Sequence, residues 1–101
     1  MKLRLTPKAE EDLVEVYGYG VRTFGVGQAE RYYSDLQSTL LLLADRPFIA
    51  RQRFEFTPPV CVHFHKSHVI VFVTQEDMLL VVRILGSRQD WARIFAEAPE
   101  N

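Results

Sequence analysis

The chain has 101 residues, 48% of them hydrophobic, 12% aromatic and 25% charged. That is the size and apolar content of one folded domain: too short for two, too apolar for disorder. Twelve basic against thirteen acidic side chains leave a formal charge of -1, so no global cationic field attracts nucleic acid or an anionic membrane.

"KLRL" at 2–5 alternates as a short strand does, and "TPKAEEDL" then carries a helix start. Thr6 suits the N-cap, Pro7 the first helical position, and the acids suit the first turns, where they meet the positive end of the helix dipole. Ala9, Leu13, Val16, Tyr17, Gly20 and Phe24 recur at spacings of three and four and mark one apolar stripe, which ends at Gly25. A second stripe, Ala29, Tyr33, Leu36, Leu40 and Leu43, runs until Arg46 and Pro47 close it. Two helices joined by about three residues must fold back as a hairpin.

After Pro47 the period changes to two. "RQRFEF" (51–56), "VCVHFH" (60–65), "HVIVFVT" (68–74) and "MLLVVRIL" (78–85) read as strands separated by "TPP", Lys66-Ser67 and "QED", an antiparallel meander. "RQDWARIF" (88–95) predicts a short final helix or turn before a polar tail. The expected fold is α+β: one domain over 1–101, with an N-terminal strand and a helical hairpin packed on an antiparallel sheet, and a short C-terminal helix.

A two-residue turn at Lys66-Ser67 sets Phe64 opposite Val69, Val62 opposite Val71 and Val60 opposite Val73, and this wholly apolar face is expected to receive the helices. The other face, with Cys61, His63, His65, Ile70 and Phe72, is still half apolar. Either "WARIF" folds over it or a partner peptide of amphipathic character covers it, the groove of the helical hairpin being the other surface such a peptide would take.

"FGVGQAERYYSDLQSTLLLLADRP", followed by "SHVIVFV" and "VVRILGSRQD", resembles the ParE branch of the RelE/ParE superfamily, the small toxins of bacterial toxin–antitoxin pairs. The likeness runs from about Thr6 to Asp90. It implies the same hairpin-on-sheet fold and a toxin held in a hetero-oligomer by a ParD-like antitoxin encoded beside it. For ParE members it implies DNA gyrase as the target, whereas RelE members are ribosome-dependent mRNA endoribonucleases. Ala50 stands where the family commonly has glycine, Cys61 or Val62 where it has arginine, Val73 where tyrosine is frequent, and Gly86 where histidine is common. These departures spare the core and bear on toxicity, so a degenerate member that only binds antitoxin is a third reading.

The residues themselves weigh the first two readings. Cutting RNA calls for a cationic surface and for groups that activate the 2′-hydroxyl and stabilise the leaving oxygen. This chain has balanced charge and no lysine or tyrosine after Gly86, so the expectation is a non-enzymatic toxin without cofactor and without direct nucleic-acid binding of its own. Candidates for contact with partner or target are Arg51, His68, Arg83, Arg88 and Trp91. Arg83, set in an apolar strand, either pairs with a carboxylate on a neighbouring element or anchors a partner; Trp91 is either a core lid or a contact residue. His63, His65 and His68 raise a zinc site, but the usual fourth cysteine or carboxylate is missing from their cluster, and an open polar face is expected instead.

One cysteine, Cys61, allows no internal disulfide and fits a reducing compartment. Thr6, Pro7 and Lys8 interrupt any signal-peptide pattern, and the apolar runs fall short of the ~18 residues that a membrane span needs. A cytoplasmic protein that does not cross the membrane is expected.

Overall fold

The chain is described from a computed structural model over residues 1–97. Thr6 caps the first helix as its sequence implies: its side-chain oxygen accepts from the Ala9 N–H at 3.0 Å, ahead of Pro7. Strand β1 (Lys2–Leu5) leads into helix α1 (Pro7–Phe24), and helix α2 (Val26–Asp45) follows. A single residue, Gly25, separates the helices rather than the expected three. It adopts φ 92° and ψ 162°, a conformation essentially reserved for glycine, and its N–H closes α1 on the Val21 carbonyl at 3.0 Å. Just above this turn a Cβ on Gly20 would come within 3.2 Å of the Ala29 Cβ. Small residues therefore let the connected ends of the two helices approach closely.

A short 3₁₀ turn (Pro47–Ile49) leads to β2 (Arg51–Arg53), β3 (Val60–His65), β4 (His68–Gln75), β5 (Met78–Gly86) and helix α3 (Trp91–Glu97). The expected strand over 51–56 stops at Arg53. Beyond it the chain turns, and Phe56 is used for packing on a sheet face instead. The sheet order is β1-β5-β4-β3-β2. It is mixed, because β1 pairs with β5 in parallel while the other neighbours are antiparallel. The β3–β4 register is the one that the Lys66-Ser67 turn implies, with Val62 opposite Val71 and His65 opposite His68. Lys66 (φ 51°) and Glu76 (φ 53°) take the left-handed conformation that tight hairpin turns require.

The assignment of the two faces is the reverse of the expected one. The helical hairpin lies on the face carrying Cys61, Ile70 and Phe72, where Leu13, Leu36, Leu40 and Leu43 meet Leu79, Val81 and Ile84. The all-valine face, Val60, Val62, Val69 and Val71, is closed by Phe56 and by Trp91, Ala92 and Phe95 of α3. "WARIF" thus folds back on the sheet, but on the opposite side to the one proposed for it. Both faces of the β3–β4 hairpin are apolar, so alternation alone does not rank them. Two long helices need the larger buried payload of Phe72 and Ile70, and a seven-residue helix suffices for the flatter valine surface. A peptide partner covering the Cys61–Phe72 face is thereby excluded, because the chain's own helices occupy it.

The polar tail after Glu97 lies outside the described residues. No helix among those described is long and apolar enough to cross a membrane.

Candidate interaction groove

β1 pairs with β5 only from Met78 to Val81, which leaves the rest of the β5 edge without a strand partner. The start of α1 takes over this edge. The Thr6 N–H donates to the Val81 carbonyl at 3.0 Å, the Thr6 hydroxyl donates to the Val82 carbonyl at 2.9 Å, and the Ile84 N–H donates to Asp12 Oδ2 at 2.8 Å. Asp12 also receives Arg83, with Nε at 2.8 Å from Oδ2 and Nη2 at 3.1 Å from Oδ1. Both side chains are 12% exposed. Arg83 is tolerated between Val82 and Ile84 because a carboxylate from α1 pairs with its guanidinium in the fork-to-fork geometry and also satisfies the next backbone donor. A register shift in the β4–β5 ladder, between Val71 and Phe72, falls beside this residue.

Beyond Arg83 the helical hairpin and the ends of β4 and β5 diverge, and a groove of about 900 Å³ opens. Its floor is apolar and small-featured, with Val16 and Gly20 from α1, Ala29 from α2, Ile84 and Leu85 from β5, and Ile94 from α3. Tyr19 and Phe24, both more than half exposed, stand at its mouth with ring centroids 6.4 Å apart. Asp12 and Glu15 lie on the α1 side, whereas Lys66, His68 and Arg88 come from the sheet side.

The wall near the β3–β4 turn is a polar network built on α2. Tyr32, Asp35 and Thr39 repeat at helical spacing beside the apolar stripe and meet the turn. Tyr32 Oη lies 2.6 Å from His68 Nδ1 and 3.5 Å from the His65 carbonyl, Thr39 Oγ1 lies 2.9 Å from His65 Nδ1, and Lys66 pairs with Asp35. His65 is 8% exposed, so the expected open polar face is instead a buried contact with α2. Its Nε2 has no hydrogen-bond partner and stands 3.6 Å from Asp35 Oδ2. Burial pushes the pKa values of His65 and His68 below the ordinary 6.5 and raises that of the Tyr32 phenol. The hydrogen bond from Lys66 lowers the Asp35 pKa and raises that of Lys66 itself.

Of the five residues singled out in the sequence, the groove brings together His68, Arg83 and Arg88. Arg51 lies elsewhere, exposed on edge strand β2 opposite Val62. Trp91 belongs to the valine face: its ring is 5.9 Å from Phe64 and 6.4 Å from Phe56, and the Arg53 guanidinium sits 5.3 Å above it. Sequence reasoning passed over Asp12, treated as one of several dipole-offsetting acids, as well as Tyr32, Asp35 and Thr39. The i, i+3, i+7 spacing of the last three was a legible sign that they share a face. Among the described residues no group of three or more histidine, cysteine or acidic side chains is disposed to hold a metal ion.

The family model described as "ParE toxin of type II toxin-antitoxin system, parDE" matches residues 3–91. Toxin ParE1 of Mycobacterium tuberculosis, from strains CDC 1551 / Oshkosh and ATCC 25618 / H37Rv, is 34% identical over 87 residues, covering 85% of this chain and 89% of the relative. A solved structure titled "Chromosomal ParDE TA system from P. aeruginosa" superposes with a TM-score of 0.74 at 22% identity, over 85% of this chain and 95% of that one, and so has the same fold. With a match across nearly its whole length, the chain belongs to the ParE family of toxins of type II toxin–antitoxin systems.

Proposed function

We propose that this ParE-family toxin acts in the cytoplasm on DNA gyrase, by binding and not by catalysis, and that a ParD-like antitoxin neutralises it by laying an amphipathic segment into the groove between the helical hairpin and the sheet. The observation that carries the docking reading is the groove itself: about 900 Å³, with an apolar floor and walls of opposite charge, in a domain whose two sheet faces are already closed by its own helices. The exposed Arg88 on one side and the exposed Glu15 on the other give such a segment a preferred orientation.

Two features support binding over chemistry. The arginines do not converge, since Arg51 lies on an outer edge strand and Arg83 is engaged by Asp12. The balanced net charge also offers no general attraction for RNA. The ribosome-dependent endoribonuclease reading keeps one supporting observation, the close Tyr32–His68 pair beside Lys66, which is able to move a proton.

Two parallel reactions discriminate. In one, the protein is added to translating ribosomes with messenger RNA; in the other, to gyrase with relaxed plasmid. Intact message together with impaired supercoiling or a trapped gyrase–DNA complex is the expected result. Codon-dependent cleavage abolished by His68→Ala would establish the ribonuclease instead, and silence in both reactions would leave a member that only binds antitoxin.

A further inference from the structure

The orientation of the His68 ring on the groove wall is set by one short contact. Tyr32 Oη lies 2.6 Å from Nδ1 and 3.5 Å from the His65 carbonyl, with the backbone and hydroxyl of Ser67 also beside it. Whichever way the proton runs in that contact, Nδ1 is the ring nitrogen committed to Tyr32. Nε2 is therefore the ring nitrogen left for a further partner, and in the protonated ring it is a donor. Nε2 makes no hydrogen bond among the described residues. Nor is it sealed off, since the side-chain polar atom found both buried and unpartnered there is Nε2 of His65. His68 thus lines the groove with its ring held by Tyr32 and Nε2 uncommitted.

The surroundings say what that donor would meet. Lys66, whose ammonium lies 6.0 Å from the Tyr32 ring centroid and is shared with Asp35, and the exposed Arg88 line the groove on the same side. His65 is the other imidazole beside Tyr32, with ring centroids 5.8 Å apart. Across the groove Asp12 is engaged by Arg83, and Glu15 stands on the far wall. Lys66 and Arg83 already have carboxylates, so Arg88 is the cation on this side without a salt bridge among the described residues, and it suits an acceptor that brings its own charge.

We propose that Nε2 of His68 anchors a carboxylate of the segment docked in the groove, with Tyr32 holding the ring through Nδ1 and Arg88 adding positive charge on the open side. The inference rests on the groove being the antitoxin site, and it makes that site sensitive to protons. A carboxylate at Nε2 favours the protonated ring. In the protonated ring Nδ1–H donates to Tyr32 Oη and the hydroxyl donates to the His65 carbonyl, so both ring nitrogens have a partner. In the free protein, burial and the neighbouring His65 hold the pKa of His68 down; the docked carboxylate raises it. Docking then takes up a proton, so affinity is highest below the pKa of the free protein and falls as pH rises through the pKa of the complex.

The test measures the dissociation constant of the full chain with the ParD-type antitoxin encoded beside it, from about pH 5.5 to about pH 8. A rise of about one unit in the His68 pKa on docking sets an upper limit of roughly tenfold on the fall in affinity across that range. His68→Gln removes the slope, Tyr32→Phe reduces it, and the His68 Cε1–H resonance titrates at higher pH in the complex than in the free chain. Tyr19→Glu, at the mouth of the groove and away from the histidines, reports on the groove reading separately. If it leaves affinity unchanged at every pH, docking is elsewhere and both ideas fall. If it weakens docking while the wild-type affinity is flat with pH, or while His68→Gln keeps the slope, the groove stands and the His68 anchor is overturned. A flat profile with weaker docking of His68→Gln would mean a neutral acceptor at Nε2, which also overturns the carboxylate.

Discussion

The two faces of the sheet are closed by unequal means. On one, α1 and α2 supply Leu13, Leu36, Leu40 and Leu43 against Ile70, Phe72, Leu79 and Val81, and most of these side chains are fully buried. On the other, valines meet a seven-residue helix that has no buried residue of its own; its Trp91 and Phe95 remain partly exposed, and Phe64 beside them is 54% exposed. The first face has the character of a domain core and the second of a lid. Stability should therefore be concentrated on the hairpin side, and the lid should tolerate change more readily.

The most direct attempt to break this contrast is Phe72→Ala, which opens a cavity beneath both long helices. It should cost about 4 kcal/mol in a denaturant titration, a large share of the stability of a domain this size. A loss no greater than that of a lid residue would contradict the asymmetry. Asp12→Ala is expected to come next, at about 3 kcal/mol, because it strands the Arg83 guanidinium and the Ile84 N–H together. Asp12→Asn, which keeps an acceptor for Ile84 but loses the charge, should recover part of that loss. On the lid, Trp91→Ala removes packing against Phe56 and Phe64 and the cation–π contact with Arg53. Since the indole is only partly covered, about 2 kcal/mol is expected, with the helical-hairpin face left intact as read by hydrogen exchange in α2.

The smallest effect is proton-linked. The folded pKa values of His65 and His68 lie below the ordinary 6.5, so on acidification the unfolded chain takes up protons before the folded one. Stability from this source is complete above about pH 6.5 and is lost as pH falls through the lowered folded values. Comparing unfolding midpoints at about pH 8 and about pH 5.5 should reveal the loss. His65→Gln, which retains a polar group toward Thr39, should narrow the difference without abolishing it, because His68 contributes in the same direction. An unchanged difference in the variant would remove His65 from the account.

The candidate site was legible in part. His68, Arg83 and Arg88 were picked out as charged or titratable residues near the end of an apolar hairpin, and they do share a groove. Arg51 and Trp91 do not join them, because strand order puts β2 at the far edge and α3 turns the indole toward the valine face. The missed residues, Asp12, Tyr32, Asp35 and Thr39, sit in helices whose polar positions look like ordinary solvated faces until the partner strands are known.

What the sequence determines by itself is what short-range physics controls. Thr6, Pro7, Gly25 and Pro47 set the helix limits through capping and backbone sterics, and Lys66-Ser67 sets the hairpin register; the order and spacing of these segments were enough to suggest the family. What only the tertiary structure decided is which of two apolar sheet faces receives the helices, that β1 runs parallel to β5, and that Arg83 finds Asp12 across 71 positions of sequence. The reason is degeneracy. When both faces of a strand pair are apolar, alternation carries no preference between them, and the outcome depends on matching buried volume across elements far apart in the chain. An arginine in a strand likewise has many possible carboxylates in sequence, and strand order and helix docking bring one of them within hydrogen-bond reach.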